Sequence, residues 1–208
     1  MSRIKFPSPE TMTDEQLAVY NVVVAGPRGR MVGPLRAAIH NPELAAPWQQ
    51  LGSVLRYRTS LPPELNELAI LVTARRWNSE VEWSIHKGEA LKAGLDAVVV
   101  EAIGQGNSPA FADVDSLNIY EFCRQLLLFG DTDDEVYQQI LNRWMEVGVV
   151  ELSALVGYYS MVAMTLNVHK IPFPEGTENE LPQAPKNQLF EIPPAKELPS
   201  VSGTTAIR

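Results

Sequence analysis

Apolar positions along the chain recur at helical spacing, and helix caps and breakers divide them into segments of ordinary helix length. Thr13, with Gln16 three residues on, opens a first helix that runs to Gly26-Pro27. Gly26 to Pro34 is a glycine-rich loop without the Gly-Lys-Ser/Thr ending of a phosphate-binding loop, which argues against nucleotide binding there. A short helix follows Pro34 and stops at Asn41-Pro42, and the next runs from about Pro42 to Tyr57. Leu61-Pro62-Pro63 opens a helix to about Trp77. Ser79 and Glu82 have capping-box spacing at the start of another, which Gly94 ends. Asp96 and Asp113 start helices that end at Gly104-Gln-Gly106 and Gly130. Thr132 with Glu135 predicts one that stops near Gly148, and Val150 to Val168 predicts a last, largely apolar helix. Val98-Val-Val100 is a β-branched cluster, but helical punctuation flanks it. The pattern predicts an all-α protein.

Residues 1–170 read as one helical domain. Residues 171–208 hold seven of the sixteen prolines and little periodicity, so they read as an extended proline-rich tail. Phe173, Leu189, Phe190 and Ile192 give that tail something to bury, which predicts an ordered arm that wraps a neighbouring subunit rather than a mobile segment. A weak internal echo lays Leu61 to His86 over Thr132 to Gly157. It sets Gln138, Ser153 and Gly157 where the first copy has Glu67, Glu82 and His86.

Composition narrows the function classes. Net charge is −8, and an acidic surface repels phosphate backbones, so nucleic acid is not an expected partner. A few arginines can still dominate the field inside a pocket that takes a small anion. The single cysteine, Cys123, lies in an apolar helical run, so neither a disulfide nor a cysteine-based metal site is expected. The N-terminal segment lacks the apolar core of a signal peptide, and no stretch was expected to reach the ~20 apolar residues of a membrane span. The expected address is the cytoplasm, with no membrane partner.

Three side chains stand out. Glu67 lies on the same stripe as Ile70, Leu71 and Ala74 in a helix apolar around nearly its whole circumference, where a carboxylate is desolvated and its pKa raised unless donors meet it. On the next helix Glu82 and His86 are neighbours at i and i+4, and a carboxylate one turn before an imidazole can hold its tautomer for proton transfer. Glu67, Glu82 and His86 are therefore the expected catalytic set. His40, Arg58 and Trp83 are the expected substrate-binding residues, with Arg30, Arg56 and Arg75 as further cations for an acid substrate. Without an HExxH motif or a second histidine at ligand spacing, no metal is expected. His169 ends a helix, where the dipole favours a cation.

Glu67, the run Glu80-x-Glu82-Trp-x-x-His86 and Ala90-x-x-Ala-Gly94 resemble the carboxymuconolactone decarboxylase family, which includes the alkylhydroperoxidase-like proteins. The likeness extends from about Gly26 to Pro174, through His40-Asn-Pro42-Glu-Leu-Ala and Glu151-x-x-x-Leu-Val-Gly157-Tyr-Tyr. In the peroxidase members a CxxC pair lies between the glutamate and the histidine; the corresponding positions here are Ser79 and Glu82, so disulfide peroxide chemistry has no thiols to run on. The resemblance implies the alkylhydroperoxidase-like fold, a trimer or hexamer, no cofactor, and a lyase or isomerase acting on a small unsaturated or lactone carboxylate in aromatic-compound catabolism. The alternative is a helical oligomer that binds a small ligand without turnover.

Overall fold

The computed structural model describes residues 2–183 and 188–198. Eight helices follow one another: α1 (Asp14–Ala25), α2 (Leu35–Ala38), α3 (Pro42–Tyr57), α4 (Pro63–Arg76), α5 (Glu80–Ala93), α6 (Ala97–Gln105), α7 (Val114–Phe129) and α8 (Asp134–His169). Among the described residues there is no strand. Most boundaries fall where the sequence puts its caps. Thr13 and Gln16 form the reciprocal capping box of α1, and Asn41, Asp96 and Asp113 each accept a backbone N–H of the helix they open. Gly94, Gly106 and Gly130 close α5, α6 and α7 in the left-handed conformation.

Helix α4 is the centre of the molecule. It packs on α5, α6, α7 and α8, and every residue from Leu65 to Arg75 is buried. Leu68, Ile70, Leu71 and Val72 are fully enclosed, and burial of each such side chain contributes about 1.5–3 kcal/mol. The polar residues of the same helix are met individually. Asn66 accepts from Thr59 Oγ1 and donates to Leu55 O, Thr73 donates to Ala69 O, and Arg75 Nε donates to Gly104 O.

Two local expectations are corrected. Ser79 occupies the N-cap position of α5, but its hydroxyl makes no capping bond, and the expected partner Glu82 turns into the interior and is 1% exposed. Asp133, not Thr132, caps α8, accepting from Val136 N at 2.8 Å. The expected stop near Gly148 falls at Met145, whose non-helical backbone (φ 59°, ψ −171°) divides α8 into two helical stretches joined at a kink. Contrary to the sequence expectation, α8 is long and apolar enough to span a bilayer; its 18-residue window has mean hydropathy 1.5, and half of that window is buried in the protein. Leu152, Leu155, Tyr159 and Leu166 supply much of that buried face.

The described part of the segment after α8 lies against its own chain. Ile171, Leu181 and Ile192 are buried, whereas Leu189 is exposed. Phe190 N donates to Arg76 O at 3.0 Å, and Lys196 N donates to Pro109 O at 2.8 Å. Tyr120 Oη donates to Pro193 O at 2.7 Å, and Ala195 N donates to Glu121 Oε1 at 2.8 Å. The Arg75 guanidinium stacks on the Phe190 ring, 3.4 Å from its centroid. Residues 184–187 and 199–208 of the expected tail lie outside the described residues.

Two glycines test this packing in opposite directions. A Cβ at Gly104 would lie 2.8 Å from Cζ2 of the buried Trp83, whereas one at Gly157, exposed on α8, meets nothing within 4 Å. Gly104→Ala should destabilise by about 1–3 kcal/mol through overpacking. Gly157→Ala should stabilise by about 0.5–1 kcal/mol through the backbone entropy of a helix-interior glycine. Urea unfolding of both variants measures the two shifts, and equal signs would refute the packing described.

Candidate active site

Helices α4 and α5 are joined by the turn Trp77–Ser79, in which Asn78 adopts the left-handed conformation (φ 48°) that asparagine tolerates. The pairing of the two helices brings Glu67 of α4 against His86 of α5, with Nδ1 to Oε2 at 2.7 Å and both residues buried. An ionised carboxylate only accepts, so Nδ1 carries the proton and donates it to Glu67. Nε2 is left with its lone pair, and among the described residues it has no hydrogen-bond partner. The ring is fixed further by Tyr159, which meets it edge-on at 5.1 Å and 87°.

Glu82 behaves otherwise. The sequence pairs it with His86, but in the structure the imidazole bonds Glu67 across the helix pair, and neither Glu82 oxygen has a hydrogen-bond partner among the described residues. Burial pushes the Glu82 carboxyl well above the usual carboxylate range, so it is held as the neutral acid. The desolvated acid expected at position 67 is thus found at position 82, while Glu67 meets the donor that the imidazole supplies. Ser79 Oγ is also buried and makes no hydrogen bond by geometry among the described residues, yet it lies near enough to Glu82 to oppose part of that rise.

Glu82 and His86 line an inner recess of about 60 Å³ together with Tyr158, Tyr159, Leu35 and Val162. The recess adjoins a vestibule of about 540 Å³, and Arg28, Val32, Gly33, Arg56 and Ile85 line both. Glu67 lines a different cavity, of about 520 Å³, that Arg56 and Glu89 share with the vestibule. The dyad therefore stands between two openings, His86 facing one and Glu67 the other. A volume near 540 Å³ is in the usual range for small-molecule pockets, roughly 300–1,000 Å³.

The structure does not bring His40, Arg58 or Trp83 to these cavities. His40 is exposed, with its Nε2 2.8 Å from Lys5 O, and Arg58 is exposed at the C-cap of α3. Trp83 is 2% exposed and packs against Gly104. Arg75 is occupied by Gly104 O and Phe190, and Arg30 lines only the vestibule. Sequence reasoning missed Arg28, Tyr158 and Tyr159. Arg28 sits in the glycine-rich loop that was weighed only for nucleotide binding, and the tyrosines sit on the apolar stripe of α8. Cys123 is fully buried, and burial pushes its thiol far up, away from the reactive thiolate. Among the described residues no three His, Cys, Asp or Glu side chains are grouped to hold a metal ion.

Solved structures share this fold. One is an uncharacterized peroxidase-related protein from Ralstonia eutropha JMP134 with the alkylhydroperoxidase AhpD core. It is 10% identical, has TM-score 0.68, and the match covers 84% of this chain and 93% of that one. Another is an uncharacterized peroxidase-related protein from Silicibacter sp. TM1040, at 11% identity and TM-score 0.69, covering 84% and 92% of the two chains. A third is a Cys-to-Ala variant of the debrominase Bmp8 in complex with 2,3,4-tribromopyrrole, at 14% identity and TM-score 0.58, covering 84% and 95%. No protein-family model matches the sequence, and no curated protein matches it. The fold is the all-helical alkylhydroperoxidase-like one.

The raised Glu82 pKa has a signed consequence for stability. Above the ordinary carboxylate pKa the unfolded chain has released this proton and the native chain still binds it. The contribution is therefore fully present below the ordinary value and is lost as pH rises towards the raised one. Glu82→Gln, which keeps the neutral shape, should be increasingly more stable than the parent as pH rises above the ordinary carboxylate range. Denaturant unfolding across that rise in pH checks it, and parallel profiles for the two proteins would mean that Glu82 ionises normally.

Proposed function

We propose that this chain is a cofactor-independent acid/base enzyme, a lyase or isomerase of the carboxymuconolactone decarboxylase kind, acting on a small unsaturated or lactone carboxylate. The observation that carries this reading is the 2.7 Å contact between Glu67 and His86 beside a second carboxyl kept protonated by burial. Two groups of opposite protonation state at one recess are what acid/base chemistry near neutrality requires. In the lyase form, the bond from carbon to the carboxylate breaks, CO2 leaves, and the electron pair moves into a conjugated carbonyl. His86, protonated at Nε2 and balanced by Glu67, returns a proton to carbon, while the neutral Glu82 donates to the developing oxyanion. In the isomerase form, the free Nε2 takes a proton from one carbon and returns it to another.

The small planar ligand of the Bmp8 complex is in keeping with a substrate of this size. A thiol peroxidase is disfavoured by the burial of Cys123. A binding protein without turnover would leave unexplained a carboxylate that orients an imidazole lining a recess.

Activity against γ-carboxymuconolactone and related lactones tests the proposal. His86→Ala should lose about a hundred- to ten-thousand-fold in kcat, and Glu67→Gln should lose most of the same factor, because the two act as one unit. Full activity in both variants would remove the site assignment. Assembly as a homo-oligomer, trimer or hexamer, in the cytoplasm belongs to the same proposal. It is supported by Leu44, Leu51, Val54 and Tyr57, exposed along α3. Light scattering on the purified chain should give a mass of three or six copies, and a monomer would refute that part.

A further inference from the structure

The two charged residues common to the vestibule and the inner recess are Arg28 and Arg56. They come from different parts of the chain, one from the loop after α1 and the other from the last turn of α3. Among the described residues neither forms a salt bridge. One acid acts on them by charge: Glu89 faces Arg56 and is shared with Lys92 Nζ at 2.9 Å. Glu82 is neutral through burial, and Glu67 is taken by His86. Glu175 lines only the vestibule. Two guanidinium groups without a salt bridge, at the neck of a pocket in a protein of net charge −8, form a local positive field.

The neck is also shaped for Arg28. A Cβ at Gly52 of α3 would lie 2.7 Å from Arg28 Nη2 and would overlap Tyr158 Oη. The absent side chain thus lets a guanidinium and a phenol hydroxyl share one corner of the recess. Beyond them the recess is walled by Leu35, Ile85, Val162 and Leu166, and its volume of about 60 Å³ admits only a few heavy atoms.

From this we infer an anion subsite made by Arg28 and Arg56, which fixes the orientation of the ligand. The ligand's carboxylate rests on the two guanidiniums at the neck. Its unsaturated, reacting end enters the recess beside His86 and Glu82. The inference deepens the catalytic reading and takes its orientation from it, but binding at the neck needs no turnover. The group on the arginines is one the enzyme retains during the reaction, because the reacting atoms lie deeper, among apolar walls. Arg28 and Arg56 are positioning residues that set specificity for acids over their neutral analogues.

The test is calorimetric titration with 2-furoate and with its neutral isostere 2-furamide, at fixed ionic strength. The proteins are the full chain, Arg28→Gln, Arg56→Gln and Arg58→Gln, with each fold checked by circular dichroism. Furoate should bind the parent and Arg58→Gln alike, and should bind Arg28→Gln and Arg56→Gln roughly tenfold or more weakly. Furamide should bind all of them as weakly as furoate binds the arginine variants. Added salt should weaken furoate and leave furamide unchanged. The inference is overturned by no furoate binding to the parent at millimolar concentration, by equal affinity for acid and amide, or by losses in Arg28→Gln and Arg56→Gln no larger than in Arg58→Gln. Furoate binding as expected in a protein that turns over no lactone would retain the subsite and remove the catalytic reading.

Discussion

A carboxylate on a helix enclosed from every side has to find a donor, and most of this structure follows from how Glu67 finds one. Helix α4 is buried from Leu65 to Arg75, and Glu67 reaches only the edge of the cavity that Arg56 and Glu89 border. The donor comes from α5, which must lie at the register that sets His86 opposite Glu67. The turn Trp77–Ser79 and the left-handed Asn78 hold that register, and a slip of one residue would leave a buried charge unpaired at a cost of several kcal/mol. The same contact that satisfies α4 thereby selects the ring tautomer of a histidine that lines the recess.

The site carries two carboxyl groups in opposite states for physical reasons that differ only in their partners. Glu67 has the imidazole N–H; Glu82, one turn from His86 on its own helix, has no partner among the described residues and keeps its proton. Positions 79 and 82 are those that the family resemblance assigns to a redox pair of thiols. Here they hold a serine and a glutamate, both buried and both without hydrogen bonds among the described residues. Polar groups stranded in this way cost about 1–3 kcal/mol each, which is tolerated more readily at a site of chemistry than elsewhere in a core.

Much of the fold was legible because caps and breakers are local. Thr13, Asn41, Asp113, Gly94 and Gly130 act within one turn of the chain, and a single sequence displays them fully. The same locality misled at Ser79 and Glu82, whose spacing fits a capping box but whose side chains answer to the interior. It misled again at His86, where the partner four residues away was visible and the partner nineteen residues away was not. Trp83 looked like a pocket wall because aromatic residues serve either role, and its contact with Gly104 lies on another helix. Arg28 was hidden by its surroundings, since nothing in a glycine-rich loop shows which cavity the loop borders.

The arm that follows α8 touches parts of the molecule made long before it. Phe190 covers the guanidinium of Arg75, and Pro193 and Ala195 take up polar groups of α7 at Tyr120 and Glu121. During synthesis the ribosome releases α4 and α7 well before residues 188–198 emerge. The helix that carries Glu67 therefore waits for residues 188–198 before Phe190 covers the guanidinium near its C-terminal end, which Gly104 O and Asn78 already hold. Chains clipped before the arm would leave that face of the core open to proteases while already possessing both residues of the Glu67–His86 pair.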